Sequence, residues 1–241
     1  MHWLLEDRPS DIFAFGSLSF YGEQNAIARG QADQTRYDRY TGEAAAHNDP
    51  FALSLDTSEH SKSDQLKGLY LDAEAEDGYI RDRNVFGHES AYPITAEDTM
   101  VVSARYPSGV LLNYSLIAYC PWGGERLTIT GTEGQIEYFG RGAGHVIAGQ
   151  DNASLASEQT QGEQSIRVQR MFEPARDVEI PEAEGAHGGG DIKLLERIFL
   201  PDHHAGAMSV LTGVTANRSI ETGQRVELET LLPAFIAELP A

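Results

Sequence analysis

Alternating apolar and polar positions dominate the middle of the chain, from residue 97 to residue 139. Such alternation puts every second side chain on one face, which predicts half-buried β-strands. Pro107 and Gly109 lie between two alternating segments, so this region predicts a β-hairpin with glycine at its turn. The predicted strands are residues 11–20, 99–106, 110–119, 125–130, 135–139, 165–172 and 177–180. Together they predict a meander of antiparallel strands.

Apolar positions at helical spacing are found nearer the two ends of the chain. Residues 3–5 resemble the end of a helix that Pro9 stops, since proline cannot continue one. Further helices are predicted near residue 66 and over residues 192–200, 205–216 and 226–239. Strands followed by helices, without βαβ alternation, predict an α+β fold: an open, mostly antiparallel sheet with helices packed on one face.

Residues 23–62 are polar throughout and predict a long irregular excursion within a single domain of residues 1–241. Connections of this length without regular structure are uncommon and usually functional or mobile. Within the excursion, His47, Asn48 and Asp49 precede Pro50, a pattern typical of a turn, although a polar loop could also line a pocket.

Composition and charge exclude several classes of protein. The 241 residues include 18 basic and 37 acidic side chains, a net charge of −19, which repels nucleic acid. The single Cys120 cannot form a disulfide scaffold. No apolar run is long enough to cross a membrane and no signal peptide is apparent, so we expect a cytoplasmic protein. The scarcity of lysine fits either a salt-adapted proteome or a GC-rich genome.

One local cluster has the composition of a binding site: His187, Gly188, Gly189, Gly190 and Asp191. Consecutive glycines let the backbone approach a ligand closely, and the predicted helix that follows offers free N–H groups to anions or hydroxyls. His187 could orient a hydroxyl or transfer its proton. In the alternative interpretation the glycines form a loop in which Asp191 only caps the helix.

Other candidate motifs favour structural roles. The glycines of residues 140–144 have the wrong spacing for a dinucleotide site and predict a flexible turn. His203 and His204 diverge and lack a third ligand, so we predict an exposed loop and no metal site. Trp122 is either a stacking platform for a sugar or, as we favour, a cover for a sheet edge. Asp98 is predicted to be a solvated acid.

Five segments, in this order and spacing, resemble the C-terminal domain of the glucose-fructose oxidoreductase / inositol dehydrogenase (Gfo/Idh/MocA) family. They are residues 95–98, 101–109, 125–134, 187–191 and 216–224. The resemblance implies an open antiparallel sheet with helices on one face, while the other sheet face commonly mediates oligomerisation. It also implies that His187, Gly188, Gly189 and Asp191 lie near the substrate, with His187 binding a hydroxyl.

The function that this resemblance implies is that of the substrate-side domain of an oxidoreductase that acts on a sugar or polyol with NAD or NADP. The family's Rossmann domain, its catalytic lysine and its helix-borne histidine have no counterpart in this sequence. We therefore expect no cofactor or metal site in this chain, and activity of the chain alone stays open. The alternative is a stand-alone, non-catalytic module for saccharide binding or oligomerisation. Expected partners are a sugar or polyol and further copies of the chain, bound through the open sheet face.

Overall fold

The computed structural model describes residues 2–35, 37, 38, 40, 43, 44, 46, 49, 51, 84–87, 93–141, 163–180 and 203–232. In chain order their elements are helix α1 (His2–Leu5), strand β1 (Asp11–Ser17), helix α2 (Glu23–Ala28), a 3-10 turn (Ala32–Thr35), strands β2 (Thr99–Arg105), β3 (Leu111–Ile117), β4 (Gly124–Gly131), β5 (Gly134–Arg141), β6 (Gln164–Arg170) and β7 (Arg176–Val178), helix α3 (His203–Thr222), strand β8 (Val226–Glu227) and a 3-10 turn (Leu228–Leu231). The chain divides into two compact units: the first consists of Met1–Ser19, Glu97–Ala118 and Glu182–Ala241, and the second of Phe20–Ala96 and Tyr119–Pro181.

The first unit contains an antiparallel sheet of order β3-β2-β1-β8, with helix α3 on one face. Alternate residues of β1 and β2 face the helix, as their apolar-polar alternation requires. The buried core between sheet and helix consists of Ile12, Ala14, Val102, Ala104, Tyr106 and Ala216. The residues in between face the other way, and among them Phe15 is 66% exposed.

A hydroxyl group joins helix α3 to the middle of β1. Ser219 is fully buried, and its Oγ accepts a hydrogen bond from the backbone N–H of Ala14 at 2.9 Å. The same hydroxyl donates to the carbonyl oxygen of Gln224 at 2.6 Å. Strand β8 pairs with only the first two residues of β1. Past the two residues that pair with β8, the Ser219 hydroxyl therefore satisfies the backbone N–H of Ala14, which strand β8 does not reach.

The second unit contains a sheet of order β4-β5-β6-β7, also antiparallel. Its register puts apolar side chains in one row across four strands: Leu127, Tyr138, Ile166 and Val178. Strand β5 begins at Gly134, where an added Cβ would overlap the backbone carbonyl oxygen of Gln169. Glycine is thus required there for β5 and β6 to lie at hydrogen-bonding distance.

The α+β class with antiparallel strands is confirmed. Each of the seven predicted strand regions contains a strand, and Gly109 at the first hairpin turn has a φ of +88°. The described strands form two four-stranded sheets, whereas the sequence suggested one. Among the described helices, none combines the length and apolar character needed to cross a membrane. The single domain of residues 1–241 and the cytoplasmic location stay predictions.

Two predicted segments need correction, and two more lie outside the described residues. A helix is expected over residues 226–239, but Val226–Glu227 form strand β8, because they pair with the start of β1. The polar excursion at 23–62 is not irregular at its start, since Glu23–Ala28 form helix α2 and Asn25 donates a hydrogen bond to the carbonyl oxygen of Tyr21. The helices predicted near residue 66 and over residues 192–200 lie outside the described residues.

Candidate functional site

The predicted binding turn of His187, Gly188, Gly189 and Asp191 lies outside the described residues, so its role stays a prediction. The structure instead brings together side chains from the polar excursion, residues 84–87 and Tyr119, all in the second unit. We call Phe20, Tyr21, Phe51, Phe86 and Tyr119 the aromatic cluster.

Ring contacts hold the aromatic cluster together. Phe20 stacks on Tyr119 with ring centroids 4.7 Å apart and an angle of 14° between the rings. Phe51 meets the fully buried Phe86 edge to face at 5.0 Å. Tyr21 meets Phe20 in the same way at 5.2 Å. Offset-stacked and edge-to-face pairs are the favourable geometries for aromatic rings. The cluster therefore serves as a small core for the described residues around it.

A cationic side chain lies at the rim of the cluster. The guanidinium carbon of Arg29 is 4.0 Å from the centroid of the Phe20 ring, a cation–π distance. Its Nη1 donates to the carbonyl oxygen of Phe20 at 2.8 Å, and its Nε donates to Oε1 of Gln31 at 2.9 Å. These contacts fix the orientation of an exposed guanidinium beside half-buried rings.

The side chain of Asn84 connects the excursion to the turn at residues 84–87. Asn84 is 1% exposed; its Nδ2 donates to the carbonyl oxygen of Tyr37 at 2.9 Å, and its Oδ1 accepts from the N–H of Phe86 at 3.0 Å. The hydroxyl oxygen of Tyr40 accepts a hydrogen bond from the N–H of Val85 at 2.9 Å. A buried amide must find partners for both of its ends, and here it finds them on two separate segments.

A buried tyrosine–carboxylate pair completes the network. The hydroxyl of Tyr37 donates to Oδ2 of Asp49 at 2.5 Å, while Oδ1 of Asp49 accepts from the N–H of Phe51 at 2.9 Å. Asp49 is 4% exposed. Burial, and then the hydrogen bond to Asp49, raise the pKa of Tyr37 above its ordinary value. Tyr37 therefore remains a hydrogen-bond donor throughout the neutral pH range.

This arrangement places apolar and hydrogen-bonding groups close together. The half-buried rings of Tyr21 and Tyr119 offer apolar contact, and Arg29 offers N–H donors. The sequence favoured a turn role for Asp49 over a place in a pocket, and its bond to the N–H of Phe51 supports the turn. It gave no signal for the partnership with Tyr37, twelve residues away.

Two further predictions can be compared with the structure. Asp98 is not a solvated acid: it is 3% exposed, and its Oδ1 accepts hydrogen bonds from the N–H of Ser19 at 2.8 Å and from Oγ1 of Thr99 at 3.1 Å. It is buried because it anchors the chain where β1 ends and β2 begins. Trp122 packs edge to face against Phe139 at 5.9 Å, the packing role that we favoured.

The described residues do not fit a dinucleotide cofactor. Such a site needs a strand that leads through a glycine-rich turn into a helix, usually within a parallel sheet. Every strand pair in the described residues is antiparallel. Gly140 and Arg141 end strand β5, and the rest of that glycine motif lies outside the described residues.

The metal prediction concerns the two adjacent histidines. His203 and His204 form the first turn of α3 and not a loop, because the helix begins two residues earlier than the sequence suggested. In the part of the chain that the structure describes, no group of three or more histidine, cysteine or acidic residues could hold a metal ion.

Comparison with known proteins assigns the family. Residues 56–228 match the model of the oxidoreductase family's C-terminal alpha/beta domain. The chain belongs to the Gfo/Idh/MocA oxidoreductase family. As the earlier resemblance implied, this Gfo/Idh/MocA chain matches the family through its C-terminal domain.

Relatives of this Gfo/Idh/MocA chain include YteT of Bacillus subtilis (strain 168), which is assigned to the oxidoreductases. The two are 30% identical over 232 residues, covering 93% of this chain and 49% of YteT. The chain thus spans about half the length of the curated relative that it matches.

Two solved structures are also similar. An aldose-aldose oxidoreductase from Caulobacter crescentus, complexed with glycerol, is 13% identical with a TM-score of 0.45, covering 94% of this chain and 43% of that one. An oxidoreductase from Desulfitobacterium hafniense, described as NADPH-dependent, is 14% identical with a TM-score of 0.39, covering 57% and 38%. Both TM-scores are below 0.5, so neither structure adds to the assignment of fold or function.

Proposed function

We propose that this chain is the substrate-side domain of an NAD(P)-dependent oxidoreductase that acts on a sugar or polyol. The observation that carries the proposal is the family match, which runs over residues 56–228 and is specific to the C-terminal domain. The relative YteT supports it, because this chain covers about half of that oxidoreductase. The cofactor is proposed to belong to a different domain, since the described antiparallel strands offer no place for a dinucleotide.

The aromatic cluster and Arg29 support a polyhydroxylated substrate. A sugar ring or polyol has C–H faces, which pack on aromatic rings, and hydroxyl edges, which accept hydrogen bonds from a guanidinium. Tyr119 and Arg29, which both contact the Phe20 ring, supply these two kinds of surface. The predicted turn of His187 and Asp191 is proposed to supply further hydroxyl contacts.

Titration of the chain with D-glucose and with myo-inositol, followed by saturation-transfer difference NMR, tests the substrate class. We expect binding to at least one of them, and a loss of about tenfold in affinity for Arg29→Gln and for Tyr119→Ala, since each removes about 1.4 kcal/mol of contact. Arg176→Gln, an exposed arginine on β7, is the matched control and should bind normally. The proposed substrate class is wrong if neither compound binds, or if all three variants bind like the parent chain.

A second candidate, an oligomerisation module, is favoured by the sheet face of the first unit that points away from α3. This face exposes Phe15 (66%), Val101 (46%), Leu111 (74%) and Ile117 (48%). An apolar patch of this kind on an antiparallel sheet is typical of an interface, and a second copy presents the same patch across a twofold axis. We propose a homo-oligomer that buries this face.

Light scattering coupled to size-exclusion chromatography tests the proposed oligomer. Phe15→Asp should dissociate it, because a carboxylate would be buried at the interface without a partner. Phe172→Asp is the matched control, since Phe172 is fully exposed and lies in the second unit. A monomeric parent chain, or a Phe15→Asp variant with the mass of the parent, would contradict the proposal.

A further inference from the structure

Two arginines and two aromatic rings share one face of the second sheet. Arg126 of β4 lies directly opposite Phe139 of β5, and Arg141 lies two residues further along β5 on the same face. Arg126 and Arg141 are therefore diagonal neighbours, with Cα atoms about 7–8 Å apart. Trp122 precedes β4 and packs on Phe139 at 5.9 Å. We call these four residues the arginine platform.

Each guanidinium of the platform lies over a ring. The Cζ of Arg126 is 5.1 Å from the centroid of Phe139, and the Cζ of Arg141 is 5.7 Å from that of Trp122. An arginine stacked on an aromatic ring is held in orientation while the N–H groups at its edge stay available. Stacking on the rings therefore orients two guanidinium groups, with their N–H donors, on one exposed surface.

Some described arginines of this acidic chain lie beside carboxylates, and the two of the platform do not. Arg105, Arg167, Arg218 and Arg225 each have a carboxylate oxygen within 4.0 Å. Among the described residues, Arg126 and Arg141 have no such partner, although the chain carries 37 acidic side chains. The nearest acid along the same face of β5, Glu137, accepts a hydrogen bond from Nε2 of Gln135 at 2.7 Å. The platform therefore combines two positive charges that no described acid neutralises.

A glycine makes room for this arrangement. Gly124 pairs with Arg141 across the β4–β5 ladder. An added Cβ at Gly124 would overlap the carbonyl oxygen of Gly140 and would lie 2.7 Å from the Trp122 ring. The indole can pack here, under Arg141, only because residue 124 has no side chain.

We propose that the arginine platform binds the carboxylate or phosphate group of a small anionic ligand, with Arg126 and Arg141 donating to its oxygens and Trp122 contacting its body. Two neighbouring guanidinium groups can donate to the oxygens of such a group through charge-assisted hydrogen bonds. The aromatic cluster with Arg29 is a different set of side chains, so this inference does not depend on the proposed substrate.

Titration calorimetry of the full chain at low salt, with glucuronate, glucose 6-phosphate, inorganic phosphate and neutral glucose, tests the platform. We expect one or more of the anions to bind, and the platform to contribute nothing to glucose binding. Binding of glucuronate alone would identify a carboxylate ligand. Binding of the two phosphate compounds would identify a phosphate ligand. Arg126→Gln and Arg141→Gln should each weaken anion binding by about tenfold to a hundredfold, since each removes charged hydrogen bonds.

Controls separate specific binding from general charge. Arg167→Gln removes a positive charge from the same sheet face, but Arg167 lies 3.8 Å from Asp177, so anion affinity should stay as in the parent. Arg126→Lys keeps the charge without the planar fork and should recover only part of the affinity. As a second readout, Trp3→Phe leaves Trp122 as the remaining tryptophan, whose fluorescence should change on anion binding. The inference is overturned if no anion binds, or if Arg126→Gln and Arg141→Gln bind anions as well as Arg167→Gln does.

Discussion

Replacing Ser219 by alanine tests how helix α3 is held on the first sheet. The substitution leaves the backbone N–H of Ala14 buried without its hydrogen-bond acceptor. An unsatisfied buried donor costs about 1–3 kcal/mol. Alanine returns up to about 0.5 kcal/mol, because it favours a helix more than serine does. The expected net loss is therefore roughly 0.5–3 kcal/mol in the free energy of unfolding.

Thermal unfolding followed by circular dichroism measures this loss. For a chain of this length, 1 kcal/mol shifts the melting temperature by about 2–4 °C, so Ser219→Ala should melt roughly 1–12 °C lower. Asn217→Ala is the matched control: it lies on the same helix at an exposed position and gains a similar helix propensity. If Ser219→Ala melts at or above the temperature of Asn217→Ala, the hydroxyl does not hold the helix on the sheet.

Two other substitutions give further tests. Gly134→Ala should lower the free energy of unfolding measured in urea by about 2 kcal/mol or more, because the new Cβ would overlap the carbonyl oxygen of Gln169. Gly131→Ala is the control: a Cβ added there meets open space, so the change should be close to neutral apart from its effect on the backbone. Tyr37→Phe should cost about 1.5–3 kcal/mol at pH 7 by removing the bond to Asp49. Folding raises the pKa of Tyr37, so its contribution is complete below the ordinary value of 10.0 and declines as the pH rises above it. The stability difference between parent and Tyr37→Phe should therefore shrink above about pH 10, and a difference that stays constant up to pH 11.5 would contradict the assigned pKa shift.

The fold could be predicted where neighbouring residues determine it. Neighbouring residues predicted strands β1–β7, and alternation did so most clearly for β2, where Val102 and Ala104 are buried and Ser103 and Arg105 are exposed. Strand β8 was beyond this method: Val226 and Glu227 become a strand by pairing with Ile12 and Asp11, more than two hundred positions earlier. The local sequence pattern favoured a helix there, but pairing with the distant strand β1 stabilises a strand instead.

The candidate site depends even more on distant contacts. Asp98 resembled a surface acid until the end of β1 brought the N–H of Ser19 to its carboxylate. The stacking of Phe20 on Tyr119 likewise joins segments about one hundred residues apart, and no periodicity indicates it. Local composition and the family resemblance both favoured the turn at His187, which lies outside the described residues. The aromatic cluster joins residues from several segments, and no local pattern indicated it.

Strand β1 also determines when the first unit can fold. Asp11 pairs with Arg105 on one side and with Glu227 on the other, and Ala14 bonds to Ser219 across 205 residues. Contacts between such distant residues form slowly, because a long loop must close before they contribute. During synthesis the strand pairs of the second sheet can all form once residue 178 is made. The edge of β1 remains open until residue 227 has emerged from the ribosome, and over that interval it is the part of the nascent chain most exposed to wrong pairing.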